Sequence, residues 1–278
     1  MTRLIAPVFA SMVAIAASPL IAQDTSAEKA DALFEALGLP DILEIMHSEG
    51  VSYGATIAQD MLPDGETPRW SAMVSDIYDV EVMSAGIRAD FYEALEGADL
   101  DAMLAFFSSD LGRKIVSLEV SAREAFLDKE VEEASKDVAA IAAIDETERF
   151  QLITDYVVAN DLIESNVIGT LNANYAFYIG LLDGDFTQQG LSADVALQQV
   201  WAQEDAIRAN TTEWVYAYLM LAYQPLEDID LEAYTAFAVS DAGQDLNAAL
   251  FKAFDGMFNG ISRDLGLASS QFLISREL

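Results

Sequence analysis

Apolar residues recur at steps of three and four along most of the chain, which is the spacing that places them on one face of an α-helix. One stripe consists of Trp70, Met73, Val74, Ile77, Tyr78 and Val82. A longer stripe runs from Leu197 through Trp214 to Leu221. No run of alternating apolar and polar residues is long enough to indicate a sheet. The pattern therefore predicts an all-α protein, a helical bundle in which helices pack on helices.

Residues that begin or end helices flank these stripes. Thr67-Pro68 has the pattern of an N-cap followed by a proline in the first turn. Asp145, with a glutamate three residues later, resembles a capping box. Ser192 opens a long helix that Pro225 ends, because proline cannot continue a helix. The sequence predicts no interruption between these two residues.

A stretch in the first half of the chain recurs in the second half. Leu95–Ile115 aligns with Leu226–Leu246 at an offset of 131, and ten of the 21 positions are identical. Self-similarity of this kind indicates repeated structural units. We therefore predict two sequence-related helical units, residues 23–145 and 146–278, that pack closely on each other.

The repeated stretch combines an aromatic residue, a Ser-Asp pair and a glycine. In each copy the serine is well placed to cap a helix. The aspartate then falls in the first turn, where the helix dipole favours negative charge. The glycine lets another element approach closely because it has no β-carbon. We predict that these residues are structural corners: Phe106, Ser109, Asp110, Gly112, Phe237, Ser240, Asp241 and Gly243.

The first 22 residues have the order of a secretory signal peptide. A single basic residue, Arg3, precedes an apolar run that ends at Ala22, and polar residues follow. We predict cleavage after Ala22, with Ala14-Ile15-Ala16 as the alternative site. An uncleaved membrane anchor is the other interpretation, although two prolines interrupt the run. The sequence thus predicts a periplasmic or secreted protein that has no membrane span after signal removal.

Composition excludes several classes of function. The chain has no cysteine, which excludes disulfides, thiolate metal sites and a cysteine nucleophile. Its formal net charge is −33, so nucleic acid is not an expected partner. The acidity indicates either a solvated, salt-tolerant surface or a docking face for cations or a basic partner.

The repeated pattern resembles a bacterial envelope family called domain of unknown function 2059, or DUF2059. That family's pattern is an aromatic pair, then Ser-Pro, one residue and Gly. The chain carries it twice, at Phe106–Gly112 and Phe237–Gly243. Both copies have Asp where Pro is usual, and the second has Ala238 where a second aromatic residue is usual. The resemblance implies an all-helical exported protein and implies no reaction.

Candidate chemistry is sparse. The chain has a single histidine, His47, and no glycine-bounded nucleophile elbow for it to serve, so the sequence indicates no catalytic residue. Asp183-Gly184-Asp185 begins like a calcium loop, but Gln188 stands where the turn glycine belongs. No motif indicates a metal site or a cofactor. A hydrolase with paired carboxylates and a weak divalent-cation binder stay open as alternative functions.

Aromatic residues are concentrated in the second half of the chain. They indicate core packing or a groove for a hydrophobic ligand or partner helix. The candidate groove residues are Tyr175, Tyr178, Trp201, Trp214 and Tyr218. The leading hypothesis is a non-enzymatic binding or interaction module of the cell envelope, whose partner is an envelope protein or a small apolar ligand.

Overall fold

The chain folds into helices joined by short turns. The computed structural model describes residues 20–186 and 190–274, and these residues contain no strand. The helices in this part of the chain are α1 (Leu20–Ala36), α2 (Leu39–Met61), α3 (Pro68–Ile77), α4 (Val80–Ala94), α5 (Leu100–Phe107), α6 (Asp110–Ala125), α7 (Lys129–Ile144), α8 (Glu148–Ala159), α9 (Leu162–Asp183), α10 (Ala193–Trp201), α11 (Glu204–Ala222), α12 (Asp228–Ala238) and α13 (Asp241–Ile274). The predicted all-α helical bundle is confirmed.

The N-terminal prediction falls mostly beyond these helices. Of the predicted signal peptide, residues 1–22, all but the last three residues lie outside the described residues, as does the alternative cleavage site. No helix between residues 20 and 274, as far as the structure describes them, is both long and apolar enough to cross a membrane.

Short polar side chains begin several helices. The Thr67 side chain accepts a hydrogen bond from the backbone N–H of Trp70, as the predicted cap requires. The predicted cap at Asp145 is wrong: Asp145 ends α7, and Thr147 caps α8 instead. Between them Glu146 has a φ of 49°, in the left-handed region. A helix cannot continue through that conformation, so α8 begins only after it.

The long helix predicted from Ser192 onward is interrupted, so that prediction is wrong. Helix α10 ends at Trp201, and α11 begins at Glu204. Helix α10 packs on α9, where Val200 joins a small cluster of buried residues. Helix α11 packs mainly on α7 and α9 and also contacts α6. Both helices thus contact α9, but only α11 also packs on α7 and α6, and the break after Trp201 separates these two packing arrangements.

The hydrophobic core is continuous across the two halves of the chain. Its largest fully buried side chains include Trp70 and Phe91 from the first half and Tyr223 and Leu231 from the second. Helix α4 packs along α13, and α11 packs against α6 and α7. Under the offset of the repeated stretch, α4 corresponds to α11, and α13 corresponds to α6 with α7. Helices from both halves of the chain therefore enclose one core, and the division into two related units stays a prediction.

Candidate functional site

The first copy of the repeated stretch forms a tight corner between α5 and α6. The Ser109 hydroxyl accepts a hydrogen bond from the Gly112 backbone N–H at 3.0 Å. A β-carbon on Gly112 would lie 2.2 Å from the carbonyl oxygen of Phe106. Glycine is therefore required by the close approach of the preceding backbone, and serine satisfies a donor at the start of α6.

The second copy forms the same corner between α12 and α13. The Ser240 hydroxyl accepts from the Gly243 backbone N–H at 3.1 Å. A β-carbon on Gly243 would lie 2.1 Å from the Phe237 carbonyl oxygen. The two corners also touch, because the rings of Phe106 and Phe237 stack with centroids 4.2 Å apart. Phe106 and Phe237, which occupy the same position in the two stretches, thus stack face to face at the edge of the core, where both are half-buried.

The aspartates of the two copies occupy the first position of a helix. Asp110 begins α6 and Asp241 begins α13. Proline, which the resembled pattern has there, suits this position because the first helical N–H needs no partner within the helix. Aspartate suits it through its charge, which the N-terminal end of the helix dipole stabilises. The replacement of proline by aspartate therefore remains compatible with the corner between the two helices.

A buried cluster of tyrosines surrounds one carboxyl group, that of Glu119 on α6. The hydroxyls of Tyr223 and Tyr234 donate to its Oε1 at 2.6 and 3.3 Å. The hydroxyl of Tyr218 donates to its backbone carbonyl at 2.9 Å. The ring of Tyr156 lies 4.7 Å from that of Tyr234 and 5.7 Å from that of Tyr223, centroid to centroid. Helices α6, α8, α11 and α12 thus converge on this carboxyl group.

The surroundings of Glu119 shift its protonation equilibrium. Burial raises the pKa of its carboxyl group to about 7, although the hydrogen bonds from Tyr223 and Tyr234 act in the opposite direction. Burial, and then the negative charge of Glu119, raises the pKa values of Tyr156 and the three hydrogen-bonded tyrosines above their ordinary value. The tyrosines stay protonated near neutral pH, whereas Glu119 titrates there.

A cationic residue lies one turn further along α6 but does not pair with Glu119. The Arg123 guanidinium donates to the Glu49 carboxylate at 2.6 Å. It also lies 5.1 Å from the centroid of the Trp214 ring, which is the geometry of a cation–π contact. The Trp214 ring stacks in turn on that of Tyr218, with centroids 5.1 Å apart. Arg123 is therefore held by Glu49 and Trp214.

Glu119 and its tyrosines line a cavity of about 1330 Å³. Helices of both halves form its walls, and Phe107, Leu246, Leu250 and Phe254 supply part of its apolar surface. Protein atoms surround the Glu119 carboxyl group, yet its side chain keeps partial exposure because it faces this cavity. An aromatic and aliphatic cavity with a few polar groups is typical of small-molecule sites.

The structure divides the five predicted groove residues among three places. Trp214 and Tyr218 line the cavity. Tyr175 and Tyr178 do not; they pack against the small cluster on α9 and α10. Trp201 is 56% exposed at the end of α10. The five residues therefore do not share one groove.

Sequence reasoning missed Glu119, although one signal was present. The apolar stripe of α6 contains Ile115, Ala122 and Phe126. Glu119 lies four residues after the first of these and three before the second, so it falls on the buried face. An acidic residue at such a position is expected to have an unusual environment.

The other residues considered as candidates for catalysis or metal binding make contacts that hold the fold together. The Nδ1 of His47 lies 2.8 Å from the backbone carbonyl oxygen of Tyr78. Asp183 pairs with Arg263 at the end of α9, and the rest of the calcium-like segment is only partly described. Within residues 20–186 and 190–274, no group of three or more His, Asp or Glu side chains could hold a metal ion.

Fold and site together define an all-helical protein with a large aromatic-lined cavity and a buried carboxyl group in its wall. Residues 83–140 match the model of a family described as an uncharacterized protein conserved in bacteria (DUF2059). The matched segment covers most of α4 and most of α7, with the first corner between them. It supports the family resemblance of the first copy. Searches of the curated proteins and of the solved structures found no match to this chain.

Proposed function

We propose that this protein is a non-enzymatic binding protein of the bacterial envelope that holds a small hydrophobic molecule in the cavity between its helices. Export is inferred from the order of charged, apolar and small residues before Gln23. Binding is inferred from the cavity, which is the observation that carries the proposal. The family match supports a bacterial protein and adds no activity.

The walls of the cavity favour a small molecule over a partner protein. They come from helices that precede and follow the middle of the chain, including α6, α8, α11 and α13. The cavity opens to solvent on one side, where Ile168 and Phe258 are exposed, and is large enough to take a drug-sized molecule between its walls. Apolar contacts with Leu246, Leu250 and Phe254 would supply most of the binding free energy.

The two alternative functions have less support. A hydrolase with paired carboxylates needs two cooperating carboxyl groups. Both hydrogen bonds of the Glu119 carboxyl group come from tyrosine hydroxyls. The nearby carboxylate of Glu49 is paired with Arg123. A divalent-cation site would need several carboxylates together, and the described part of the chain groups none in that way.

A bulky substitution in the cavity should block binding. We expect wild-type protein to bind the uncharged fluorescent probe N-phenyl-1-naphthylamine, and Leu250→Trp to weaken this binding about tenfold or more, because the indole fills apolar space. Fluorescence titration of the purified protein measures both affinities. Val120→Trp, on another wall, repeats the test if the first variant does not fold.

The matched control is Leu197→Trp, on the exposed side of α10 and away from the cavity. It should bind the probe like wild type. Failure of wild type to bind, or equal binding by folded cavity variants and the control, would contradict the proposal. Native mass spectrometry of protein purified from its own cells should show the mass of a bound small molecule.

A further inference from the structure

We propose that the Glu119 cluster binds the positively charged nitrogen of the ligand, so that the cavity selects hydrophobic organic cations, that is, an ammonium group on an apolar body. This inference rests on the proposed binding function and specifies its ligand class. It is carried by the geometry of the carboxyl group, the aromatic rings beside it and the charges that line the cavity.

The Glu119 carboxyl group has one oxygen available to a ligand. Its Oε1 accepts both hydrogen bonds from Tyr223 and Tyr234. Its Oε2 accepts none from the residues that the structure describes, and it is not among the fully buried unpartnered atoms. The tyrosines therefore orient the group and leave its second oxygen facing the cavity. A carboxylate placed in this way is complementary to a cation.

Aromatic rings stand beside this carboxyl group. Tyr156, Tyr223 and Tyr234 all line the cavity, and their ring centroids are 4.7 to 6.1 Å apart. Phe107 and Phe237 continue the aromatic wall. Tyr223 is fully buried, so the accessible aromatic surface comes from small exposed parts of Tyr156 and Tyr234 and from the half-buried Phe237. The faces of aromatic rings attract cations. An uncharged or anionic head group would gain nothing from the same rings.

The unpaired charges of the cavity wall are all negative. Three cationic residues line the cavity, and each pairs with a carboxylate: Arg123 with Glu49, Lys136 with Glu132, and Lys252 with Glu93. Among the described residues, the lining carboxylates of Glu119, Glu213 and Asp255 form no ion pair. An anionic ligand would meet cations that already form ion pairs, whereas a cationic ligand would meet carboxylates that have no cationic partner.

Cation binding should depend on the ionisation of Glu119. The charged and titratable groups that face it are Tyr156, Tyr218, Tyr223 and Tyr234, with Arg123 and Glu49 one turn away. The tyrosines remain neutral below about pH 9, since burial raises their pKa values. Affinity for a cation should therefore rise with pH as the Glu119 carboxyl group loses its proton.

Three molecules with the same apolar chain separate the head-group effect from the chain effect: decyltrimethylammonium, 1-decanol and decanoate. Each is used below its micelle concentration to displace N-phenyl-1-naphthylamine from the full-length mature protein. We expect wild type to bind the ammonium compound about tenfold more tightly than the alcohol, and decanoate most weakly. In Glu119→Gln this preference should fall to about twofold, and affinity for the alcohol should stay unchanged.

Glu124→Gln is the matched control, because it removes the same charge from the same helix outside the cavity wall. It should keep the preference for the ammonium compound. Between pH 6 and pH 8, roughly the range in which Glu119 titrates, ammonium affinity should rise in wild type and stay flat in Glu119→Gln. Equal affinity for the three compounds, or equal loss in both variants, would overturn this inference alone. If none of the compounds and no probe binds, the proposed function fails with it.

Discussion

Replacing Gly112 with alanine is expected to lower the free energy of unfolding by about 3 kcal/mol. The new β-carbon would lie 2.2 Å from the Phe106 carbonyl oxygen and 2.6 Å from the Phe107 Cα. Both are backbone atoms, so no side-chain rotation relieves the overlap and the corner must open. Gly243→Ala should cost a similar amount, and leucine at either position should lower the melting temperature further. Urea denaturation and thermal melting measure these losses.

Two other helical glycines provide the control. A β-carbon on Gly86 or Gly260 would have no atom within 4 Å. Alanine at these positions should raise stability by roughly 0.5 to 1 kcal/mol, because alanine favours the helix more than glycine does. If Gly112→Ala and Gly86→Ala had the same effect on stability, the corners would not depend on close backbone approach.

Replacing Glu119 with glutamine is expected to stabilise the protein at neutral and alkaline pH. Folding raises the pKa of this carboxyl group from 4.5 to about 7. The folded state therefore binds the proton more tightly than the unfolded state, and stability falls as pH rises between these values. The shift corresponds to about 3 kcal/mol once the group is fully ionised. Glutamine cannot ionise and keeps an oxygen that accepts from the tyrosines.

The informative quantity is the difference in unfolding free energy between Glu119→Gln and wild type, measured from pH 4.5 to pH 8. It should be smallest at the acidic end and grow by about 3 kcal/mol toward pH 8. Glu124→Gln, on the same helix, controls for the general repulsion among the many carboxylates. A difference that does not change with pH would show that the Glu119 carboxyl group titrates normally in the folded protein.

Local sequence patterns predicted the helices well, because local interactions determine them. The Thr67 cap, the corners at Ser109 and Ser240, and the apolar face of α6 all depend on residues within one or two turns. The family resemblance rested on the same local features, and residues 83–140 match the family model. Both corners were recognisable because the packing of glycine against the preceding backbone is local as well.

Apart from the cap at Asp145, the errors arose where a neighbour distant in sequence decides the outcome. The break after Trp201 lets α10 pack on α9 while α11 packs on α9 and also on α7 and α6, and periodicity alone does not indicate this difference. The same applies to the predicted groove. Trp214 and Tyr218 share a face of α11, so their stacking could be predicted, whereas Tyr175 and Tyr178 lie on a different helix and pack elsewhere.

The cavity itself could not be predicted from the sequence. Its walls combine residues as far apart as Leu37 and Phe258, so it depends on how many helices are arranged together. Glu119 was the one part of the site that the sequence could have indicated, because residue spacing alone places it on an apolar helix face. The tyrosines around it could not be assigned, since Tyr156, Tyr223 and Tyr234 belong to separate segments.

The exchange of contacts between the two halves has a consequence for how the sequence can change over generations. Because α4 lies along α13 and α11 lies against α7, each half of the chain shields apolar residues of the other half from solvent. The effect of a substitution in one half on stability therefore depends on contacts with residues more than a hundred positions away. Compensating substitutions should arise in the opposite half. Phe106 and Phe237, whose rings stack across the two halves, are expected to change together rather than separately.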